Sequence, residues 1–184
     1  MDLLPLFLVW FLVFVFSTTC HEAAHAWMAR RGGDETAYSL GHVTLDPLPH
    51  IRREPLGMVF IPILSFFLSR GGGMIGWASV PYDPAWGSRY PRRWAVMSLA
   101  GPMTNFLLAL LAVFAIHGLT AAGVFQPLGQ GGERALFVQL PAGHDFNSPL
   151  GALGYALSIM VHLNLLLGFF NLIPIPPLDG AAVV

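Results

Sequence analysis

Three ionisable side chains stand close together in an otherwise apolar stretch: His21, Glu22 and His25, in the string His-Glu-Ala-Ala-His. Histidines four positions apart lie on one face of a helix, one above the other, so their imidazoles can converge on a single ion. Imidazole nitrogen suits Zn²⁺, which it binds at about 2.0–2.1 Å. Glu22 precedes His25 by three positions and therefore sits beside the same ion without being needed as a ligand. From there it can take a proton from an attacking water and pass it to a leaving amine. The ion's part is to lower the pKa of that water and to polarise the carbonyl under attack. HExxH strings also arise by chance. This one lies at the end of a run, Leu3 to Cys20, that carries no charge at all. An ionisable group inside a membrane span costs about 3 kcal/mol on insertion scales. Three of them at ligand spacing argue for a metal centre holding one zinc per chain.

The surrounding elements must place these groups inside a bilayer. The chain has 184 residues, of which 55% are hydrophobic and 10% charged. A soluble domain carries about 25% charged residues, so this surface is too poor in charge to face water. Four apolar segments follow one another. Residues 3–28 are long enough to span, since a crossing takes about 20 apolar residues. A cleaved leader would want a basic start, and only Asp2 is charged there. Residues 94–116 and 150–173 read as two further spans. The run from Gly57 to Ser69 is too short to cross, is interrupted by Pro62, and is followed by Gly71, Gly72 and Gly73. With Met74–Val80 it reads as a re-entrant segment over 57–80, possible as a β-hairpin, which survives at depth only where protein or a wet cavity satisfies its backbone. The fold class expected is an all-α membrane protein with three spanning helices and one re-entrant element, a single domain over residues 1–184.

Charge sets the expected orientation. All nine basic residues are Arg, and eight of them lie between Arg30 and Arg93. The positive-inside rule puts that stretch in the cytoplasm and the N-terminus outside, in a multi-pass protein of the cell membrane. A net charge of −1 gives no electrostatic case for nucleic acid as a partner. Cys20 is the sole cysteine, so no intrachain disulfide forms. It points about 100° away from His21 on a helix, a poor geometry for a shared metal.

A catalytic zinc site takes a third protein ligand and keeps one position open. The downstream candidates are His42, His50, His117, His144, His162 and Asp179. If residues 57–69 do not cross, the ends of the first and last spans share the cytoplasmic side. That parity favours Asp179, which follows the break Pro174-Ile175-Pro176-Pro177 that frees backbone to turn a carboxylate inward. His42 and His50 fall in the Arg-rich loop and are expected in water. His117 and His144 border the external polar stretch. His162, inside the last span, is expected as a buried, hydrogen-bonded histidine, with a substrate-facing or proton-carrying role as the sharper reading.

With both motifs in view, the sequence resembles the site-2 protease family of intramembrane zinc metalloproteases. The likeness rests on His21-Glu22-Ala23-Ala24-His25 and on Asn171-Leu172-Ile173-Pro174-Ile175-Pro176-Pro177-Leu178-Asp179-Gly180. The second string fits the family's N-x-x-P-x-P-x-L-D-G pattern at each fixed position. Gly101-Pro102-Met103-Thr104-Asn105 is similar to its G-P-x-x-N element, and residues 41–51 and 76–78 to its connecting stretches. The resemblance implies Asp179 as third ligand and a membrane-protein substrate cut within its transmembrane segment. It implies that Asn105 faces the active site, steadying substrate or the charge on the attacked carbonyl, as an amide donor can. A helix-packing hydrogen bond is the plainer role for the same residue. It also implies a hairpin edge that pairs with an unwound substrate by strand addition. The chain stops at Val184 where family members continue into further helix, so the C-terminal part of the family core is expected to be missing. Two rival classes remain: an inactive scaffold of the same family, which would have no use for Glu22, and a metal transporter, which would favour repeated weak sites along a path.

Overall fold

A computed structural model of the chain describes residues 3–129, 134–135, 137–145 and 147–183. Three long apolar helices dominate it: α1, Leu3–Gly32; α6, Pro91–Ala121; and α7, Pro149–Asn171. Each is long and apolar enough to cross a membrane. Between α1 and α6 lie four short helices: α2, Thr36–Ser39; α3, Pro47–Arg53; α4, Ile61–Leu68; and α5, Pro84–Arg89. The spans run a few residues past the expected limits at the Arg-rich end of the molecule, where Arg30, Arg31, Arg92 and Arg93 continue the helices of their apolar neighbours.

Contacts fix the order of packing. Arg93 of α6 donates to the carbonyl of Gly32 at 3.0 Å, and His25 bonds the Met97 carbonyl at 2.8 Å, so α1 and α6 run antiparallel. Trp10 and Phe14 of α1 pack with Ile159 and Leu163 of α7, while Ser17 meets Asn164, so α1 and α7 run parallel. The ends of α1 and α7 therefore lie together, as the parity of the spans requires. Leu4, Leu8, Leu12 and Phe16 form an exposed stripe on α1 at a spacing of four. Apolar residues inside the bundle and outside it are what a helix bathed in lipid shows.

The segment expected as re-entrant turns back on itself. Gly71, at its tip, approaches the side chains of Leu3 and Leu6, at the start of α1. Its two ends meet again, with Ser79 donating to Glu54 at 2.6 Å and Arg53 to Ser79 at 3.3 Å. It is not a hairpin of two strands. The ascending limb is helical from Leu56 to Leu68, and the descending limb, residues 74–83, belongs to no helix or strand. A helix satisfies its own amides along its length, which an isolated strand pair in hydrocarbon cannot do. Pro62, which seemed to break the run, lies where the helix enters α4 from a wider π-turn, and its missing N–H leaves one main-chain carbonyl of the preceding turn without its ladder donor. One turn earlier the helix widens into a π-turn over Leu56–Phe60, in which Ile61 donates to Leu56 rather than to Gly57. The Gly57 carbonyl, released from the ladder, accepts Trp77 N–H at 3.1 Å instead. Ser65 Oγ holds Ile75 N–H at 3.0 Å. The close contact needs glycine twice, because a Cβ on Gly57 would lie 2.3 Å from the Trp77 carbonyl and one on Gly76 2.3 Å from the Gly57 carbonyl.

Among the described residues of the polar stretch after α6, Arg134–Ala135 pairs antiparallel with Val138–Gln139. Phe125, Val138 and Leu140 form a local core there against Ile116, Leu119, Leu150 and Leu157, closing the end of the α6–α7 pair.

Candidate metal centre

The helical repeat of α1 places His21 and His25 on its inner face, 6% and 4% exposed, against α6. The chain after α7 folds back through turns at Ile173–Leu178 and delivers Asp179 at the head of a 3₁₀ turn, Asp179–Ala182. Three side chains from two ends of the sequence then meet. His21 Nε2 and His25 Nε2 are 2.9 Å apart, Asp179 Oδ2 is 3.1 Å from the first, and Asp179 Oδ1 is 3.2 Å from the second. Among the described residues this is the one group of three or more such side chains able to hold a metal.

The outer nitrogens decide what the inner ones offer. His25 Nδ1 faces the Met97 main-chain carbonyl at 2.8 Å, which can only accept, so Nδ1 carries the proton. His21 Nδ1 bonds Asn105 Oδ1, again an acceptor. In the neutral form of each ring Nε2 then keeps its lone pair, directed at the other Nε2 and at a carboxylate. Four lone-pair atoms gathered this closely repel one another unless a cation lies among them. Ligands on a tetrahedral zinc at bonds of about 2.0–2.1 Å are separated by roughly 3.3 Å, close to the spacing found. Two neutral imidazoles backed by hydrogen bonds, with one carboxylate, fit zinc both in donor type and in outer support.

The α6 face is shaped to admit the histidines. A Cβ on Gly101 would fall 2.3 Å from His25 Nε2 and 2.5 Å from His21 Nε2. No side chain is possible there while the imidazoles hold their places.

The three side chains open onto a cleft of about 590 Å³. Glu22 lines it beside them, 5% exposed and with no hydrogen bond to any described residue. The descending limb, Gly76 to Val80, forms one wall, and Tyr82, Trp94, Leu167 and Phe170 complete an apolar rim.

Several expectations meet a different arrangement. Asn105 lies at the centre, but it is 0% exposed: its oxygen faces His21 and its amide nitrogen donates to Asn164 Oδ1 at 2.7 Å. In this geometry it holds the His21 ring and ties α6 to α7, the plainer role expected of it, and does not line the cleft. His162, expected inside the bundle, is exposed on the outer face of α7. His42 and His50, expected in water, are 6% and 0% exposed and pack edge to face with ring centroids 5.2 Å apart. The loop folds under α1, so its charge density did not predict its burial. His117 and His144 are exposed, and buried Cys20 lines a separate groove with Ala23, Ala24 and Trp27, away from the ligands. The sequence had named Gly101 only within the G-P-x-x-N resemblance, without a role, and had given no place to Asn164 and Ser17. The signal available for the last two was their polarity within apolar spans, with Ser17 one helical turn before His21.

Helices that can span a membrane and a His-His-Asp cluster with an adjacent glutamate define a membrane-embedded metallopeptidase architecture. The chain belongs to peptidase family M50, the site-2 protease family, whose pattern it matches over residues 9–184. Among curated proteins it is 31% identical over 183 residues to "Putative zinc metalloprotease YwhC" of Bacillus subtilis, covering 98% of this chain and 70% of that protein. It is also 31% identical over 169 residues to "Putative zinc metalloprotease Rip2" of Mycobacterium tuberculosis, covering 91% of this chain. A relative of the same name in Mycolicibacterium smegmatis is 31% identical over 166 residues. The chain spans about half the length of the two Rip2 proteins, 52% in each case. No solved structure gives a significant match.

Proposed function

We propose that the protein is a zinc-dependent intramembrane endopeptidase that hydrolyses peptide bonds within transmembrane segments of other membrane proteins. The observation that carries this reading is the convergence of His21, His25 and Asp179 on one point with Glu22 beside them in the same cleft. A zinc ion held by those three residues supplies Lewis acidity toward water and toward the scissile carbonyl.

The chain's own groups do the rest. Glu22 makes no hydrogen bond to any described residue, which leaves its carboxylate able to take a proton from the attacking water and return it to the departing amide nitrogen. Asn105 and the Met97 carbonyl keep the two imidazoles in one tautomer and one orientation through the cycle. The Gly76–Val80 limb, part of no helix or strand, lines the cleft wall. A transmembrane helix shields its own peptide bonds by hydrogen bonding, so the substrate must unwind locally before attack. Pairing with main-chain groups of that wall compensates the amides so exposed. The rim of Trp77, Tyr82, Trp94 and Phe170 suits apolar substrate side chains and limits bulk water.

The test uses purified chain reconstituted with a membrane-anchored reporter substrate. Wild type is expected to bind one zinc and cleave. Glu22→Gln is expected to keep the zinc and lose cleavage by two or more orders of magnitude, the scale of general acid–base catalysis at about 10²–10⁴-fold. Cleavage retained in Glu22→Gln would sink the assignment of the base; a wild type that binds zinc and cleaves no membrane substrate would move the scaffold reading ahead.

A further inference from the structure

We infer that Asn164, in the middle of α7 and outside the cleft, is a positioning residue for the ligand His21: acting through Asn105, it determines which ring nitrogen of His21 carries the proton. The inference rests on the metal-centre reading above and adds a residue that the HExxH and Asp179 motifs do not include.

The two histidines are supported differently. The partner of His25 is a main-chain carbonyl, whose polarity cannot be reversed. The partner of His21 is a side-chain amide, which presents either an acceptor or a donor depending on a half-turn of its terminal bond. If Asn105 presented its nitrogen, His21 would accept at Nδ1 and carry its proton at Nε2, where a metal must bind. Something has to fix Asn105, and Asn164 has the contacts to do so.

The polarity can be followed from a fixed end. The carbonyl of Met160 can only accept, and Asn164 Nδ2 lies 2.9 Å from it, one helical turn on. The same nitrogen lies 2.9 Å from Ser17 Oγ. With its nitrogen engaged by two oxygens, Asn164 must turn Oδ1 the other way, where it meets Asn105 Nδ2 at 2.7 Å. Asn105 is then left with its oxygen toward His21 Nδ1, and His21 Nε2 with a free lone pair. A helix carbonyl in α7 thus sets the protonation of a ligand on α1 through two amides. Ser17 closes the circuit on α1 itself, one turn before His21, and donates onward to Met160 Sδ at 3.6 Å.

Burial makes the chain of bonds decisive. Ser17, Asn105 and Asn164 are each 0% exposed. No water can replace a lost partner, so reversing one amide leaves oxygen facing oxygen at the next link. Two asparagines placed back to back between spanning helices thus have one low-energy arrangement, the one that bares His21 Nε2.

The test is zinc affinity, measured by competition with a chelator on the detergent-purified chain, for wild type, Asn164→Leu, Asn105→Leu and the double variant. Each single change is expected to weaken zinc by about 10–100-fold, the range for outer-shell partners of metal-bound histidine. Because Asn164 acts through Asn105, the double variant is expected to bind no more weakly than Asn105→Leu. Asn164→Asp, whose protonated carboxyl keeps an acceptor for Asn105 and a donor for Met160, is expected to stay within a few fold of wild type. In ¹⁵N spectra of zinc-free protein labelled at histidine, the Nδ1–H form of His21 is expected to dominate in wild type and to lose that dominance in Asn164→Leu. Wild-type zinc affinity in Asn164→Leu, additive losses in the double variant, or an unchanged His21 tautomer would each overturn the inference and leave the metal centre standing. A wild type without zinc would overturn both.

Discussion

Replacing Gly101 by alanine separates two opposite expectations by sign. In an ordinary helix interior, Gly→Ala stabilises by up to about 1 kcal/mol, because alanine gives up less backbone freedom on folding. At position 101 the added Cβ would stand 2.3 Å from His25 Nε2 and 2.5 Å from His21 Nε2. Both distances are about 1 Å short of ordinary van der Waals contact. Zinc–ligand bonds tolerate about 0.2 Å before a site degrades. An imidazole cannot retreat by several times that amount while Asn105 or the Met97 carbonyl still holds its other nitrogen. Gly101→Ala is therefore expected to bind zinc at least 100-fold more weakly than wild type, beyond the range for loss of one outer-shell bond, and to lose cleavage with it. Gly118→Ala in the same helix is the control, since a Cβ there meets nothing within 4 Å. It is expected to keep zinc and unfold no earlier than wild type. The assay is zinc per chain by mass spectrometry, chelator competition and a thermal melt on the same samples. A folded Gly101→Ala protein with wild-type zinc affinity would refute the packing argument and the placement of both histidines.

Three further predictions follow from the same geometry. Asp179→Ala removes the only carboxylate in the ligand triangle and is expected to abolish stoichiometric zinc; full occupancy would show that another group completes the site. If the Arg-rich region is cytoplasmic, a cysteine introduced at Arg52 in a Cys20→Ser background reacts with an impermeant reagent in inside-out vesicles and not in intact cells, and the reverse result would invert the orientation. Acid should loosen the Arg-rich region. Burial, then the charges of His50 and Arg53, lower the His42 pKa below its ordinary 6.5. Burial alone would raise Asp34, but hydrogen bonds from Thr36 and Asp83 outweigh it and hold the carboxyl below 3.8. A depressed folded pKa stabilises above the unfolded value and is lost as pH falls through the folded one. The His42 contribution should thus be complete above about pH 6.5 and decline below it, and that of Asp34 only below about pH 4. Melting temperature measured from pH 7.5 to 5 is expected to fall in wild type and to fall less in His42→Gln; identical slopes would refute the assignment.

The His21-Glu22-His25 cluster was legible because its information is local. Two histidines and a glutamate within five residues share a helical face whatever the rest of the chain does, and the length of an apolar run sets whether it can span. Asp179 was reachable too, since counting crossings places the ends of α1 and α7 at one level. The form of the 57–80 segment was not, because the same apolar run suits a helix or a strand until Gly57 and Gly76 are seen to press backbone against backbone. Asn105 was picked out by resemblance, but the direction of its amide depends on Asn164, which lies 59 positions away. The burial of His42 and His50 depends on how a charged loop folds beneath α1. Sequence fixes which groups a helix carries and on which face. The rotation and approach of α6 and α7 against α1 decide which atom of each group meets its neighbour, and the protonation of the ligands follows from that.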